Sequence, residues 1–141
     1  MRHSIGEWVD ERYEILAVLG EGGMAEVYRA LDKTSGRDVV LKLPHLAIAG
    51  DLAAFNRYRR EIEVAAGLDH PGLQRLLSEP KARYMVFDYV EGQTLRAYLA
   101  ARGQLAVDEV RRIGTQLAET LQYVHDQGVV HRDLKPASSS V

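Results

Sequence analysis

The apolar residues of this chain follow one period before about residue 91 and another after it. Bulky apolar residues dominate residues 13–20 and 37–43, which is typical of strands. Polar and apolar side chains alternate over residues 26–31, the period of a half-buried strand. A glycine-rich turn and a DKTSG turn connect these segments, so the pattern predicts a three-stranded antiparallel meander.

One helix and two further strands are predicted next. Apolar residues at helical spacing indicate a helix that ends at Gly67: Leu52, Phe55, Tyr58, Ile62 and Ala66. Residues 73–77 and 83–90 are predicted to be strands on either side of a tight turn at residues 79–82. The first part of the chain is therefore expected to form a five-stranded antiparallel sheet with one helix.

Beyond residue 91 the pattern becomes helical. A short helix is predicted over residues 94–101 and a long one over residues 107–127, which Gly128 ends. One face of the long helix is apolar: Val110, Ile113, Leu117, Leu121 and Val124. The fold class is α+β, and we predict an N-terminal extension over residues 1–12, a β-rich unit over 13–91 and a helical unit over 92–141.

Composition limits the classes of function. The 141 residues are 46% hydrophobic and 27% charged, as in soluble globular domains, and the formal net charge is −2. A chain with this net charge has no overall positive potential that would attract nucleic acid. The absence of cysteine excludes disulfides and thiolate metal sites. Neither a signal peptide nor a membrane-spanning segment is evident, and we expect a cytoplasmic protein.

The first candidate site is the glycine-rich segment Gly20-x-Gly22-x-x-Ala25. Glycines let backbone N–H groups approach phosphate oxygens closely. In a dinucleotide-binding fold such glycines open a helix, whereas here they open a strand. A hairpin folded over nucleotide phosphates is therefore favoured over a dinucleotide site, and a plain glycine-rich turn stays open as an alternative.

The second candidate is Lys42, which lies among apolar residues of the third strand. A lysine that shares a strand face with Val40 needs an acidic partner, and Glu61 on the following helix is the best candidate. The alternative is an ordinary solvent-exposed lysine on an edge strand. The glycine-rich hairpin before Lys42 and the acidic helix after it favour the paired arrangement.

The third candidate is the motif His131-Arg132-Asp133-Leu134-Lys135-Pro136. Asp133 can orient and deprotonate an attacking hydroxyl, and Lys135 can neutralise charge on a transferred phosphoryl group. The alternative is a charged loop after a helix. The position of the motif directly after a long amphipathic helix favours the catalytic interpretation.

Taken together, these segments resemble the eukaryotic-like serine/threonine protein kinases of bacteria. The resemblance runs from Tyr13 to Pro136, and its matching pieces are residues 19–28, 40–42, 60–61, 68–71, 85–92 and 131–136. It implies a kinase N-lobe followed by the first helices of an incomplete C-lobe. It also implies ATP and Mg²⁺ as cofactors, and phosphoryl transfer to Ser or Thr hydroxyls of a protein substrate.

The resemblance also implies roles for individual residues. Lys42 would bind the ATP α/β-phosphates and pair with Glu61, and Asp133 would be the catalytic base, with Lys135 beside it. Phe87 would be the gatekeeper, and the backbone from Asp88 to Val90 would hydrogen-bond adenine. Other nucleotide contacts are expected from the glycine loop and the pocket walls: Leu19, Gly20, Glu21, Gly22, Gly23, Val27 and Val40.

The sequence departs from the family pattern near its end. Ser138 stands where the family has its metal-binding Asn, and a hydroxyl is a weak ligand for Mg²⁺. The 141 residues contain no Asp-Phe-Gly segment after Asp133. We therefore expect little or no kinase activity from this stretch alone. The alternative is a catalytically dead kinase-like module that binds a nucleotide or a partner. We further expect the apolar face of the long helix to be covered by a partner protein, by a second copy of the chain, or by collapse onto the N-lobe.

Overall fold

The structure is a computed structural model that describes residues 3–21, 25–45, 50–79 and 82–129. The described residues form two compact units. The first contains the residues up to Gly67 together with Gln74–Tyr89, and the second contains Leu68–Leu73 and the residues from Val90 onwards. Each unit is described by itself below.

The first unit is built on a sheet whose strands follow one another in chain order, each antiparallel to the next. The strands are β1 (Trp8–Val9), β2 (Tyr13–Glu21), β3 (Ala25–Asp32), β4 (Asp38–Pro44) and β5 (Met85–Asp88). The three-stranded meander and the five-stranded count predicted from the sequence are confirmed. The short turns between β2, β3 and β4 allow this order because antiparallel neighbours need only tight connections.

Strand β2 carries two irregularities opposite β3. The pairing passes from Ile15↔Ala30 to Ala17↔Arg29, and again from Val18↔Tyr28 to Gly20↔Val27. Each step places one extra residue on β2, so Leu16 and Leu19 are the bulged residues. The pairing of β3 with β4 has no such shift from Ala25↔Pro44 to Leu31↔Asp38.

The two faces of the sheet pack differently. One face forms the main core, and its fully buried members are Ile15, Tyr28, Ala30, Val39 and Leu41. The other face packs against helix α1 (Leu52–Ala66), which buries Ala54, Tyr58 and Ile62. Tyr58 and Ile62 form a second cluster with Met85 of β5. Helix α1 thus covers the face of the sheet that is opposite the main core.

Helix α1 begins and ends where the sequence predicted. The Asp51 carboxylate accepts hydrogen bonds from Ala53 N at 3.0 Å and Ala54 N at 3.2 Å, so two unpaired N–H groups of the first turn are satisfied. At the other end, Gly67 N donates back to Val64 O at 3.2 Å. The expected helix from residue 52 to Gly67 is confirmed.

The predicted strand at residues 73–77 is wrong. Only Leu76 forms a bridge, opposite Phe87. A regular ladder fails because Val86 N donates to the Ser78 hydroxyl at 3.0 Å instead of to a backbone carbonyl. Leu77 N and Ser78 N also share Val86 O as their acceptor. The fifth strand of the sheet is instead the short β1, and the strand predicted at residues 83–90 is limited to Met85–Asp88.

The second unit contains helix α2 (Leu95–Arg102) and helix α3 (Val107–Asp126), as predicted to within a residue. Thr94 caps α2 by accepting a hydrogen bond from Ala97 N at 3.1 Å. Gly128 has φ +78°, a conformation that L side chains rarely adopt, and this is why the chain turns away from the helix axis there. Within the described ranges, no helix is long and apolar enough to cross a bilayer.

Candidate nucleotide site

Register brings several of the predicted site residues into one row across the sheet. Gly20 lies opposite Val27, Val27 opposite Lys42, and Lys42 opposite Met85. Directly opposed residues point to the same face, so this row shares the face that α1 covers. Val40 and Phe87 are opposed to each other in the next row of the same face.

Lys42 and Glu61 form the ion pair expected from the sequence. Lys42 Nζ lies 2.5 Å from Glu61 Oε1, which joins β4 to α1. The side chains are 27% and 41% exposed, so solvent or a ligand can reach both groups. An ammonium group has three N–H donors and Glu61 uses one of them, which leaves Lys42 able to bind further acceptors.

The position of Glu61 depends on the packing of α1. Ile62, the next residue, is buried with Tyr58 and Met85. The Tyr58 hydroxyl donates to the backbone carbonyl of Lys42 at 3.1 Å, which fixes the helix to β4 beside the ion pair. Burial raises the pKa of Tyr58 to about 12, so the hydroxyl keeps its proton at neutral pH.

The segment that follows Phe87 has its own fixed geometry. Asp88 N donates to Arg75 O at 2.9 Å, and Asp88 O accepts from Gln74 Nε2 at 2.8 Å. A carbonyl oxygen has two lone pairs, so Asp88 O can accept a second hydrogen bond from a ligand. Val90, the last residue predicted for adenine binding, is about half exposed and belongs to the second unit.

The glycine loop is described only in part. Leu19 is exposed, Glu21 is the last residue of β2, and a Cβ added at Gly20 would meet no atom within 4 Å. Gly22 and Gly23 lie outside the described residues. So do the predicted catalytic residues Asp133 and Lys135 and the predicted metal ligand Ser138, and their roles stay predictions.

Sequence reasoning missed three supporting contacts. Tyr58 was counted only as an apolar helix residue, although its hydroxyl bonds to Lys42. Gln74 and Arg75 hold the backbone of Asp88 from a segment that was expected to be a regular strand. The polar Gln74 within an otherwise apolar stretch was the available signal for the first of these two contacts, and the second, made by the Arg75 backbone carbonyl, had none.

Comparison with known proteins identifies close relatives of this arrangement. The family profile described as protein kinase domain matches residues 13–138. The chain is 39% identical over 135 residues to serine/threonine-protein kinase PrkC of Bacillus subtilis, which covers 94% of this chain and 21% of PrkC. It is 35% identical over 137 residues to serine/threonine-protein kinase PknB of Mycolicibacterium smegmatis, covering 92% and 22% respectively. The chain thus spans about a fifth of the length of these relatives.

Solved structures agree with the family assignment. The kinase domain of PknI from Mycobacterium tuberculosis superimposes with a TM-score of 0.77 at 31% identity, covering 100% of this chain and 59% of that chain. Rad53 in complex with AMP-PNP has a TM-score of 0.77 at 32% identity, covering 89% and 34%. Since the family profile matches well over half of the chain and the fold agrees with solved kinase domains, this chain belongs to the protein kinase domain family.

Proposed function

We propose that this chain provides the nucleotide-binding part of a serine/threonine protein kinase, which transfers a phosphoryl group from ATP to a Ser or Thr hydroxyl of a protein substrate. The observation that carries the proposal is the 2.5 Å ion pair between Lys42 and Glu61. Membership of the family implies the use of ATP with a divalent metal ion. The proposed roles of the remaining residues follow from their positions around that pair.

Lys42 is proposed to bind the α- and β-phosphates. Glu61 holds the Lys42 ammonium group from one side, and within the described residues the other N–H donors of that group can take phosphate oxygens as acceptors. The partial exposure of the pair suits this role because a fully buried pair could not reach a ligand. Glu61 therefore acts as a positioning residue, and it does so only while α1 stays on the sheet.

The apolar residues beside Lys42 are proposed to bind the adenine ring. Val27 and Val40 lie on the same sheet face as Lys42, and Phe87 of β5 is opposed to Val40 of β4. These apolar side chains lie near Asp88 O, which can accept a second hydrogen bond. The combination suits a heteroaromatic ring that carries an amino group. Leu19, Gly20 and Glu21, with Gly22 and Gly23, are proposed to cover the phosphates.

The transfer step is proposed to use the closing motif. Asp133 would accept the proton of the substrate hydroxyl as the hydroxyl oxygen attacks the γ-phosphorus. The bond from that phosphorus to the β–γ bridging oxygen breaks and ADP leaves, while Lys135 would neutralise the charge on the transferred group. A divalent metal ion supplies charge neutralisation at the phosphates when it is bound. Ser138 offers one neutral hydroxyl in place of an amide oxygen, which fits Mg²⁺ poorly.

A thermal-shift titration with ATP and Mg²⁺ tests nucleotide binding by the 141-residue chain. We expect a saturable rise in melting temperature, because a ligand present at about 100 times its Kd stabilises the folded state by about 2.7 kcal/mol. Lys42→Met should abolish the shift, and Glu61→Gln should reduce it. Lys33→Met, which removes an exposed lysine from the β3–β4 turn, is the matched control and should leave the shift unchanged. An equal loss in the control, or no loss in Lys42→Met, would contradict the proposal.

A catalytically dead nucleotide-binding module is the second candidate, and Ser138 is the observation that favours it. The two candidates share the thermal shift and differ in chemistry. In the whole protein, transfer of labelled phosphate that is lost in Asp133→Asn would support the kinase. An ATP-dependent thermal shift without any phosphate transfer would support the binding module.

The apolar face of α3 is proposed to be covered by another protein surface, either in the whole protein or in a second copy of the chain. Val107 and Val110 are 72% and 54% exposed, whereas Val124 at the other end of the helix is buried. Sedimentation of the 141-residue chain tests the second arrangement. Concentration-dependent self-association that Val110→Glu weakens would support it, and a monomer at all concentrations would argue against it.

A further inference from the structure

A cluster of three metal-ligating side chains lies on the other face of the sheet from Lys42. Glu26 neighbours Val27 in β3, and since successive side chains of a strand point to opposite faces, Glu26 faces away from the Lys42 row. Ligand atoms of Glu21, Glu26 and His45 all lie within 4.8 Å of one another. Of the three residues in the cluster, only Glu21, the last residue of β2, is also among the residues proposed to contact the ATP phosphates.

The sheet register itself brings these three side chains together. Glu21 and Glu26 are directly opposed across β2 and β3. Leu43 is opposed to Glu26, and His45 lies two residues beyond Leu43, just past the end of β4. The register of the three strands thus brings these residues to the same end of the sheet.

The central carboxylate is buried and oriented. Only 6% of Glu26 is exposed. The hydroxyl of Tyr28, a fully buried residue, donates to Glu26 Oε2, and it accepts a hydrogen bond from His3 N at 2.9 Å. Metal-ligating carboxylates are held in this way by outer partners. Tyr28 thus fixes one oxygen of Glu26 and directs the other oxygen elsewhere.

The second oxygen of Glu26 points into the cluster. Oε1 of Glu26 lies 4.0 Å from His45 Nδ1. A second carboxylate, that of Glu21, is directly opposed to Glu26. A cation at this point would therefore lie next to two carboxylates and one imidazole.

From this geometry we propose that Glu21, Glu26 and His45 bind one divalent transition-metal ion of the Zn²⁺ class. Imidazole and carboxylate ligands bind Zn²⁺ at about 2.0–2.2 Å, which places tetrahedral donors about 3.4 Å apart. Side-chain adjustments of about 1 Å would bring the present 4.8 Å cluster to that spacing. The imidazole disfavours Mg²⁺ and Ca²⁺, which prefer oxygen ligands alone.

Such an ion would join three strands at one end of the sheet. Glu21 ends β2, Glu26 is the second residue of β3, and His45 follows β4. The glycine-rich hairpin spans the gap between Glu21 and Glu26, so the ion would fix the base of that hairpin from the face opposite Lys42. The proposed metal site does not rest on the proposed kinase activity.

Titration of the 141-residue chain with Co²⁺, followed by its visible absorption, and with Zn²⁺, followed by calorimetry, tests the proposal. We expect one ion per chain, with no displacement by a hundredfold excess of Mg²⁺ or Ca²⁺. His45→Ala, which alters a residue outside the strands, and Glu26→Gln, which keeps the size of the side chain, should each weaken binding at least tenfold. Tyr28→Phe should weaken it by about 10- to 100-fold if the hydroxyl orients Glu26.

The control is His125→Ala, which removes an exposed imidazole from α3. It should leave the affinity for Co²⁺ and Zn²⁺ unchanged. The proposal is overturned if the wild-type chain shows no saturable binding of one ion, if His45→Ala keeps wild-type affinity while folded by circular dichroism, or if His125→Ala abolishes binding. An ATP-dependent thermal shift that persists in His45→Ala would show that the loss of metal binding in this variant is separate from nucleotide binding.

Discussion

Replacing Ile62 with alanine tests whether the packing of α1 on the sheet holds the ion pair in place. Ile62 is 2% exposed and lies in the cluster with Tyr58 and Met85, next in sequence to Glu61. Only Ala54, Tyr58 and Ile62 of this helix are buried, so each of them carries a large share of its attachment.

The expected loss can be estimated from the atoms removed. Ile→Ala deletes three carbons, and at about 0.8 kcal/mol for each buried methylene the transfer contribution is about 2.4 kcal/mol. The cavity left between the helix and β5 adds to this, and buried Ile→Ala changes range over about 2–5 kcal/mol. We expect a loss of about 3 kcal/mol in the free energy of unfolding, a large fraction of the stability of a domain of this size.

Urea denaturation followed by tryptophan fluorescence provides the assay. Trp8 is the only tryptophan and lies in β1, so its emission reports on the sheet of the first unit. Val64→Ala on the exposed side of the same helix is the matched control, and should cost less than about 1 kcal/mol. If Ile62 does position Glu61, Ile62→Ala should also reduce the thermal shift with ATP while both charged residues are intact.

Two results would refute this reasoning. One is a loss in Ile62→Ala below about 1 kcal/mol, which would mean that the helix is not held by this cluster. The other is a full ATP-dependent shift in a clearly destabilised Ile62→Ala protein. That result would separate the stability of α1 from the position of Glu61.

Three further predictions concern stability, each measured by urea denaturation. Asp32 is buried and accepts hydrogen bonds from the Arg12 guanidinium at 2.8 and 3.0 Å, which hold the pKa of its carboxyl well below its usual range. Asp32→Asn should therefore cost about 2–3 kcal/mol in the free energy of unfolding at pH 7. This difference from wild type should shrink as the pH falls below about 4, because only the ionised carboxylate stabilises the folded state. A pH-independent difference would contradict this. A Cβ added at Gly72 would clash with Thr120, so Gly72→Ala should cost about 1–3 kcal/mol and Thr120→Ala should recover most of it; an additive double mutant would refute the clash. Asp51→Ala should cost about 1 kcal/mol through loss of the α1 cap, and no change would mean that water replaces the carboxylate.

Strong periodicity made most of the sheet and the three helices of the described residues predictable. The alternation from Glu26 to Leu31 fixed β3 because one face of that strand is buried, and the helical spacing from Leu52 to Ala66 fixed α1 for the same reason. The predicted partner of Lys42 was correct because a lysine between apolar walls has few acidic groups within reach. These signals are local, and tertiary contacts only reinforce them.

The strand pairing at the two ends of the sheet was not predictable in the same way. Strand β1 has only two residues, so it shows no hydrophobic period. The turn from β1 to β2 has positive φ at Asp10 and Glu11, a conformation that the sequence Asp-Glu does not predict. At residues 73–77 the apolar content suggested a strand, but the Ser78 hydroxyl takes the place of a backbone acceptor. A side chain that replaces a backbone hydrogen-bond partner between two strands does not change the hydrophobic pattern of the sequence.

The convergence of Glu21, Glu26 and His45 needed the register of three strands. Spacing in the sequence does not reveal it, because Glu21 and His45 are far apart along the chain and meet only through β3. A prediction of this cluster would have required knowing the pairing of β2 with β3 and of β3 with β4.

The two bulges have a consequence for how this sheet tolerates changes in length. Deleting Leu16 or Leu19 would convert a bulge into regular pairing, and the partners at both ends of β2, Tyr13↔Asp32 and Glu21↔Glu26, could remain as they are. Strand β4 has no extra residue opposite β3, so deletion of one residue before Lys42 would turn the lysine to the other face. Single-residue deletions should therefore accumulate in β2 among functional descendants of this chain and be absent from β4.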